Sequence, residues 1–176
     1  YKIMYNINEQ IILKEFFENP AKKFHILELA RITSLHPNTI LSSLNSLSKK
    51  NMIKQEKKRH IKEVYANTEN KEFIIQKRLF NLEQMYKSGI IEFLIKIYKP
   101  EAISLIGSYS SGEDIEKSDI DVVIITKIKE DSDTYKYKKI LKRKIHLITT
   151  DYKEMSNEFY INLINGILLY GYLEKK

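Results

Sequence analysis

Residues 101–126, EAISLIGSYSSGEDIEKSDIDVVIIT, restrict what the chain can fold into more than any other stretch. Its two apolar runs, 101–106 and 119–126, are short, rich in Ile and Val and bounded by turn residues, so each predicts a buried strand. Gly107-Ser108 closes the first run, and ten residues later Asp119-Ile120-Asp121 opens the second. Successive strand residues point to opposite faces, so Asp119 and Asp121, two apart, send both carboxylates to one side. Two acids side by side at the start of a buried strand cost stability unless a cation relieves them.

That cation has a natural identity. Mg²⁺, or Mn²⁺ in its place, takes one or two protein carboxylates and leaves its other positions to water and substrate phosphates. Gly107 supplies the complement, because a glycine after a strand lets the backbone approach a ligand closely. A helix start beyond it would offer unpaired N–H groups to a phosphate, and the Ser108 hydroxyl adds a donor. Gly107 and Ser108 on phosphates and Asp119 and Asp121 on metal together describe a site for a metal-bound nucleoside triphosphate. Phosphoryl or nucleotidyl transfer is the chemistry such a site serves.

The stretch GSYSSGEDIEKSDIDVVII resembles the Gly-Ser, ten residues, Asp-x-Asp signature of the minimal nucleotidyltransferases of the DNA polymerase beta superfamily. The resemblance runs over about residues 101–172. It implies a small mixed sheet flanked by helices, and transfer of a nucleoside monophosphate from a triphosphate to a hydroxyl with release of pyrophosphate. Many single-domain members are known as antitoxins that nucleotidylate a partner toxin, so a toxin or other protein joins an RNA end and a small molecule as acceptor classes. In the family a later strand brings a third carboxylate to the metals. Here the matching strand is RKIHLITTDY, and the corresponding position is His146. His146 is therefore a candidate catalytic residue beside Asp119 and Asp121, as a neutral metal ligand or a general base, with a purely structural role as the alternative. Asp151 and Glu154 are further acids close by in sequence. FYINLINGILLYG resembles the family's closing helix and last strand.

The N-terminal third reads differently. The chain carries a net charge of +7, and residues 1–70, with 12 basic against 7 acidic side chains, hold most of it. NEQIILKEFFENP predicts a helix capped by Asn8, with apolar positions 11, 12, 16 and 17, ended at Asn19-Pro20. HILELARIT predicts a second. SLHPNTILSSLNSLSKKN predicts a third, with Pro37 in its first turn and Ile40, Leu41, Leu44 and Leu47 inward. Met52–Glu56 and Ile61–Ala66 then predict two strands around the charged tip Lys57-Lys58-Arg59-His60. Over about residues 5–68 this order resembles the winged helix-turn-helix domains of transcription regulators, which implies double-stranded DNA as a partner. The implied contacts are Asn38, Thr39, Ser42 and Ser43 on the outer face of the third helix and Lys57, Lys58 and Arg59 at the wing. A solvated basic edge is the alternative use of the same residues.

Residues 69–99 predict one or two connecting helices, with Ile75, Leu79, Leu82, Met85 and Tyr86 as an apolar stripe and a break at Ser88-Gly89. The stripe serves core packing or a homodimer interface. The expected fold class is α/β (α+β): a winged helix domain over 1–68, connecting helices over 69–99, and a nucleotidyltransferase-like mixed sheet flanked by helices over 100–176. Cysteine is absent, which excludes disulfides and thiolate metal sites and suits a cytoplasmic location. No apolar run reaches the length that spans a bilayer, so no membrane partner is expected. Two functions follow as expectations: a nucleotidyltransferase using a Mg²⁺-bound nucleoside triphosphate, or a DNA-binding regulator whose transferase domain has become a sensor or scaffold.

Overall fold

A computed structural model describes residues 5–58 and 61–174. The chain divides after Lys77 into two compact units. No helix among the described residues is long and apolar enough to cross a membrane.

In the first unit, helix α1 (Ile7–Glu18) starts two residues earlier than a cap at Asn8 would have it. Asn6 is the cap: its side chain accepts the Glu9 N–H at 2.9 Å, and the Glu9 carboxylate accepts the Asn6 N–H at 2.9 Å. This reciprocal box satisfies two otherwise orphan donors, which Asn8 could not do. A two-residue strand β1 (Phe24–His25) precedes α2 (Ile26–Thr33), and α3 (Pro37–Lys49) begins with His36 as cap and Pro37 in its first turn. Strands β2 (Ile53–Lys58) and β3 (Ile61–Ala66) pair antiparallel, and β1 joins β3 to complete a sheet of order β1-β3-β2. Ile12, Phe16, Phe24, Leu29, Ile40 and Leu44 form the centre of this unit. The rings of Phe16 and Phe24 meet edge to face at 5.3 Å between centroids.

Helix α4 (Lys71–Ser88) leads into the second unit and breaks at Gly89, whose φ of 76° opens α5 (Ile90–Tyr98). The predicted stripe of α4 coincides with its buried face only in part, at Leu82 and Met85. Ile75, Leu79 and Tyr86 are exposed, whereas Phe73, Asn81 and Met85 are buried. The reason is chemical: a polar Asn81 on the inner face masks the true period. Asn81 Nδ2 donates to the Tyr109 carbonyl at 3.0 Å and to Asp114 Oδ1 at 2.7 Å, and Arg143 Nη2 reaches Asp114 Oδ2 at 3.7 Å.

Four strands form the second sheet in the order β6-β5-β4-β7: β4 (Ala102–Ile106), β5 (Ile120–Ile125), β6 (Ile145–Thr150) and β7 (Ile167–Gly171). β4 is antiparallel to β5 and β7, and β5 is parallel to β6, so the sheet is mixed. The connections carry α6 (Gly107–Ser111), α7 (Tyr135–Leu141) and α8 (Asn157–Ile164). β4 and β5 are buried on both faces, which their unbroken apolar sequence requires. Alternation sorts the side chains: Ile120, Val122 and Ile124 pack with α5 and α7, while Val123 and Ile125 pack with Met155 and Leu163. Odd-numbered positions of β5 therefore share one face, and Asp121 is among them.

Candidate functional site

Strand register assembles the site. Asp121 lies opposite Ile106 of β4 on one side and opposite His146 of β6 on the other. Ile148, two residues beyond His146, packs on the face that holds Val123 and Ile125, so His146 and Asp121 project to the same side of the sheet. Their contact follows: His146 Nδ1 is 3.0 Å from Asp121 Oδ1. An ionised carboxylate only accepts, so Nδ1–H donates in this contact, and in the neutral ring Nε2 is then the acceptor. His146 is 61 % exposed and Asp121 33 %, which leaves the pair open to a ligand.

Gly107 follows Ile106 directly and adopts φ 71°. A Cβ built there would lie 2.8 Å from Asp121 Oδ2, so the bare glycine Cα is what lets the second carboxylate oxygen lie beside the turn. The two oxygens of Asp121 thus face different partners, one toward His146 and one toward Gly107. Helix α6 after the turn has only five residues, so the expected helix-dipole contribution to phosphate binding is small. What the turn offers is its own N–H groups and a hydroxyl. Ser110 Oγ donates to the Gly107 carbonyl at 2.7 Å and Ser111 Oγ to the Ser108 carbonyl at 3.0 Å. The Ser108 hydroxyl makes no such bond among the described residues and is half-buried.

Asp119 precedes β5, which begins at Ile120, and is exposed. Among the described residues no group of three or more His, Cys, Asp and Glu side chains is arranged to hold a metal ion. Asp151 and Glu154 do not supply the missing acid. They follow the far end of β6, where Asp151 Oδ1 accepts the N–H groups of Lys153 and Glu154 at 2.7 and 3.0 Å, and Glu154 pairs with Lys129. Those two N–H donors, mainly the Glu154 one, hold the Asp151 carboxyl below its ordinary range.

In the first unit the residues expected on the outer face of α3 separate. Asn38 and Ser42 are exposed and Thr39 is half-buried, but Ser43 is only 5 % exposed. Ser43 is inward because the buried stripe runs Ile40, Ser43, Leu44, Leu47, the i, i+3, i+4, i+7 pattern, which leaves Leu41 half out. The exposed face is Asn38, Ser42, Asn45 and Lys49, so Asn45 was missed as a candidate contact; its spacing of seven from Asn38 was the available signal. Lys57 is exposed near the tip of the hairpin and Lys58 ends β2, while Arg59 and His60 lie outside the described residues.

No curated protein and no solved structure matches the chain. Residues 87–166, a stretch that holds Gly107, Ser108, Asp119, Asp121 and His146, match the family model described as a nucleotidyltransferase domain.

Proposed function

We propose that the protein transfers a nucleoside monophosphate from a nucleoside triphosphate to a hydroxyl acceptor. The carrying observation is the alignment, across three neighbouring strands, of the Gly107 turn, Asp121 and His146 on one face of the sheet. In the transfer the acceptor oxygen bonds to the α-phosphorus, the bond from that phosphorus to the bridging oxygen breaks, pyrophosphate leaves, and the hydroxyl gives up its proton.

Each residue has a task. The N–H groups at Gly107 and the Ser108 hydroxyl hold the triphosphate, with Gly107 keeping the approach open. The donor chemistry of Asp119 and Asp121 fits one hard divalent cation whose shell is completed by phosphate and water. Bound there, Mg²⁺ or Mn²⁺ would neutralise phosphate charge. His146 fits poorly as a second magnesium ligand, because imidazole nitrogen suits other metals. Its part is to fix the Asp121 carboxylate through Nδ1 and to present Nε2 as proton acceptor for the attacking hydroxyl.

Calorimetric titration of each Mg²⁺-nucleoside triphosphate tests this reading. Binding by the wild-type chain that is lost in Asp119→Asn/Asp121→Asn supports it; a wild-type chain that binds none of the four overturns it.

A second activity rests on the first unit. Three helices and a sheet of order β1-β3-β2, with the hairpin carrying Lys57, support a winged helix that binds double-stranded DNA. Asn45 and Asn38 can pair with adenine edges and Lys49 with phosphate. Replacing Lys49 with Ala should weaken duplex binding across sequences and lower the salt slope by about one. An unchanged slope would remove Lys49 from the interface.

A further inference from the structure

Beside Asp119 lies a cleft of about 730 Å³ that the transfer chemistry above does not use. One wall is the turn from Glu116 to Asp119. The other is a face of α7, with Tyr135, Lys138 and Lys139 at i, i+3 and i+4, continued beyond the helix by Lys142, Arg143 and Lys144. Neither Gly107, Ser108 nor Asp121 lines it, so it meets the proposed nucleotide site at Asp119 alone.

The charge in this cleft is concentrated. Six basic side chains line it, Lys117 among them, against the two acids Glu116 and Asp119. Residues 71–176 as a whole hold 18 basic and 16 acidic side chains, so the basic excess of the cleft is larger than that of the whole segment. Arg143 is buried and lies 3.7 Å from Asp114, so Lys117, Lys138, Lys139 and Lys144 are the cations that set the field at the mouth. Such a field selects polyanions.

Shape and aromatic content narrow the class. Tyr135 is 58 % exposed, with Lys139 Nζ 4.6 Å from its ring centroid, while Tyr137 turns inward and packs at a tilt against Phe93, 5.0 Å between centroids. An exposed ring among lysines is a platform for a base, and the α7 face extends about 6 Å from Tyr135 to Lys139 at the helical rise. A phosphodiester strand offers charge and stackable bases together; an acidic peptide offers only the charge.

We infer that this cleft binds a single-stranded nucleic acid and that this strand is the acceptor whose terminal hydroxyl is brought to Asp119. The assignment rests on the transfer reading of the site. The terminal hydroxyl oxygen bonds to the α-phosphorus of the triphosphate, pyrophosphate departs with the broken bridging bond, and the hydroxyl proton is released, so the strand grows by one nucleotide.

The test uses the full chain and a short fluorescent oligoribonucleotide with a free 3′ hydroxyl, read by anisotropy across a salt series. Lys138→Ala/Lys144→Ala should bind it at least tenfold more weakly, with a salt slope lower by about 1.4, the value for two phosphate contacts on a single strand. Tyr135→Ala should lose about fivefold or more, as for one stacked base. Lys57→Ala, on the other unit, reports oligonucleotide held there instead. Mg²⁺-triphosphate calorimetry on the same variants should be unchanged, and wild-type chain should extend the oligonucleotide with label from the α-phosphate. Wild-type affinity in both cleft variants, or equal competition by polyglutamate, overturns the strand site. Triphosphate binding lost together with oligonucleotide binding overturns it by assigning the lysines to the nucleotide. Oligonucleotide binding that depends on the cleft, in a chain that binds no triphosphate, sinks the transfer reading and with it the acceptor role, but not the strand site.

Discussion

Gly107→Ala is the substitution whose consequences the structure specifies most closely. Alanine at a φ of 71° costs about 1–2 kcal/mol. A less flexible unfolded chain offsets about 0.4–1 kcal/mol of that. Gly89→Ala is the matched control, since its φ is 76° and its Cβ would meet nothing within 4 Å. Both positions lie in the second unit, so both variants act on the same transition. Gly89→Ala should therefore lower stability by about 1 kcal/mol, a fall in melting midpoint of about 4–8 °C for a unit of this size. Gly107→Ala bears a further term, because its Cβ would sit 2.8 Å from Asp121 Oδ2. Turning that carboxylate off its rotamer costs about 0.5–1.5 kcal/mol, and the half-exposed contact with His146 adds no more than about 1. The total is about 2–3 kcal/mol. The functional contrast is sharper than the thermal one: Gly89→Ala should bind Mg²⁺-triphosphate as wild type does, and Gly107→Ala should lose it. Scanning calorimetry and nucleotide titration on the two variants measure both quantities. Equal nucleotide affinity in the two would refute the assignment of Gly107 as the residue that lets the Asp121 carboxylate and the phosphates approach the turn.

Three other substitutions probe different parts of the molecule. His146→Asp places a carboxylate in register with Asp121, so Mn²⁺ should bind several-fold more tightly by calorimetry; unchanged affinity would remove position 146 from the metal face. Asn81→Ala leaves the Tyr109 carbonyl and Asp114 Oδ1 without their Asn81 donor in a buried setting, and should destabilise the second unit by about 2–4 kcal/mol in urea denaturation. A loss under about 1 kcal/mol would show that the network contributes little. Burial by itself would raise the Glu9 carboxyl, but Ser46, Lys50 and the Asn6 N–H outweigh it and hold the group below its ordinary 4.5. A depressed folded value contributes stability above about 4.5, lost as the pH falls through the folded value. The first unit should therefore melt at lower temperature on acidification through that range, and Glu9→Gln should flatten this dependence; an equally steep loss in the variant would exclude Glu9 as its source.

The sequence alone determined the local order of the chain. The two apolar runs around Gly107 and Asp119-x-Asp121 became β4 and β5, His146 fell on the strand where a third acid was expected, and α3, α5 and α8 began at proline, glycine and serine signals. These are properties of neighbours in the chain, and backbone sterics and side-chain period act at that range. Tertiary structure decided what faces what. Ser43 turned inward and Leu41 half out because the interior of the first unit selected one of two adjacent stripes on α3. Asn81 became an inner residue of α4 because a buried partner, Asp114, makes a polar group acceptable there. β1 appeared because β3 was present to pair with two residues too few to show a period. The contact of His146 with Asp121 depends on the register of parallel strands joined through α7, and the cleft collects lysines from residue 117 and from α7 onward. Periodicity along a chain reports that one face is apolar, whereas register and burial are settled only when segments distant in sequence exclude water from each other.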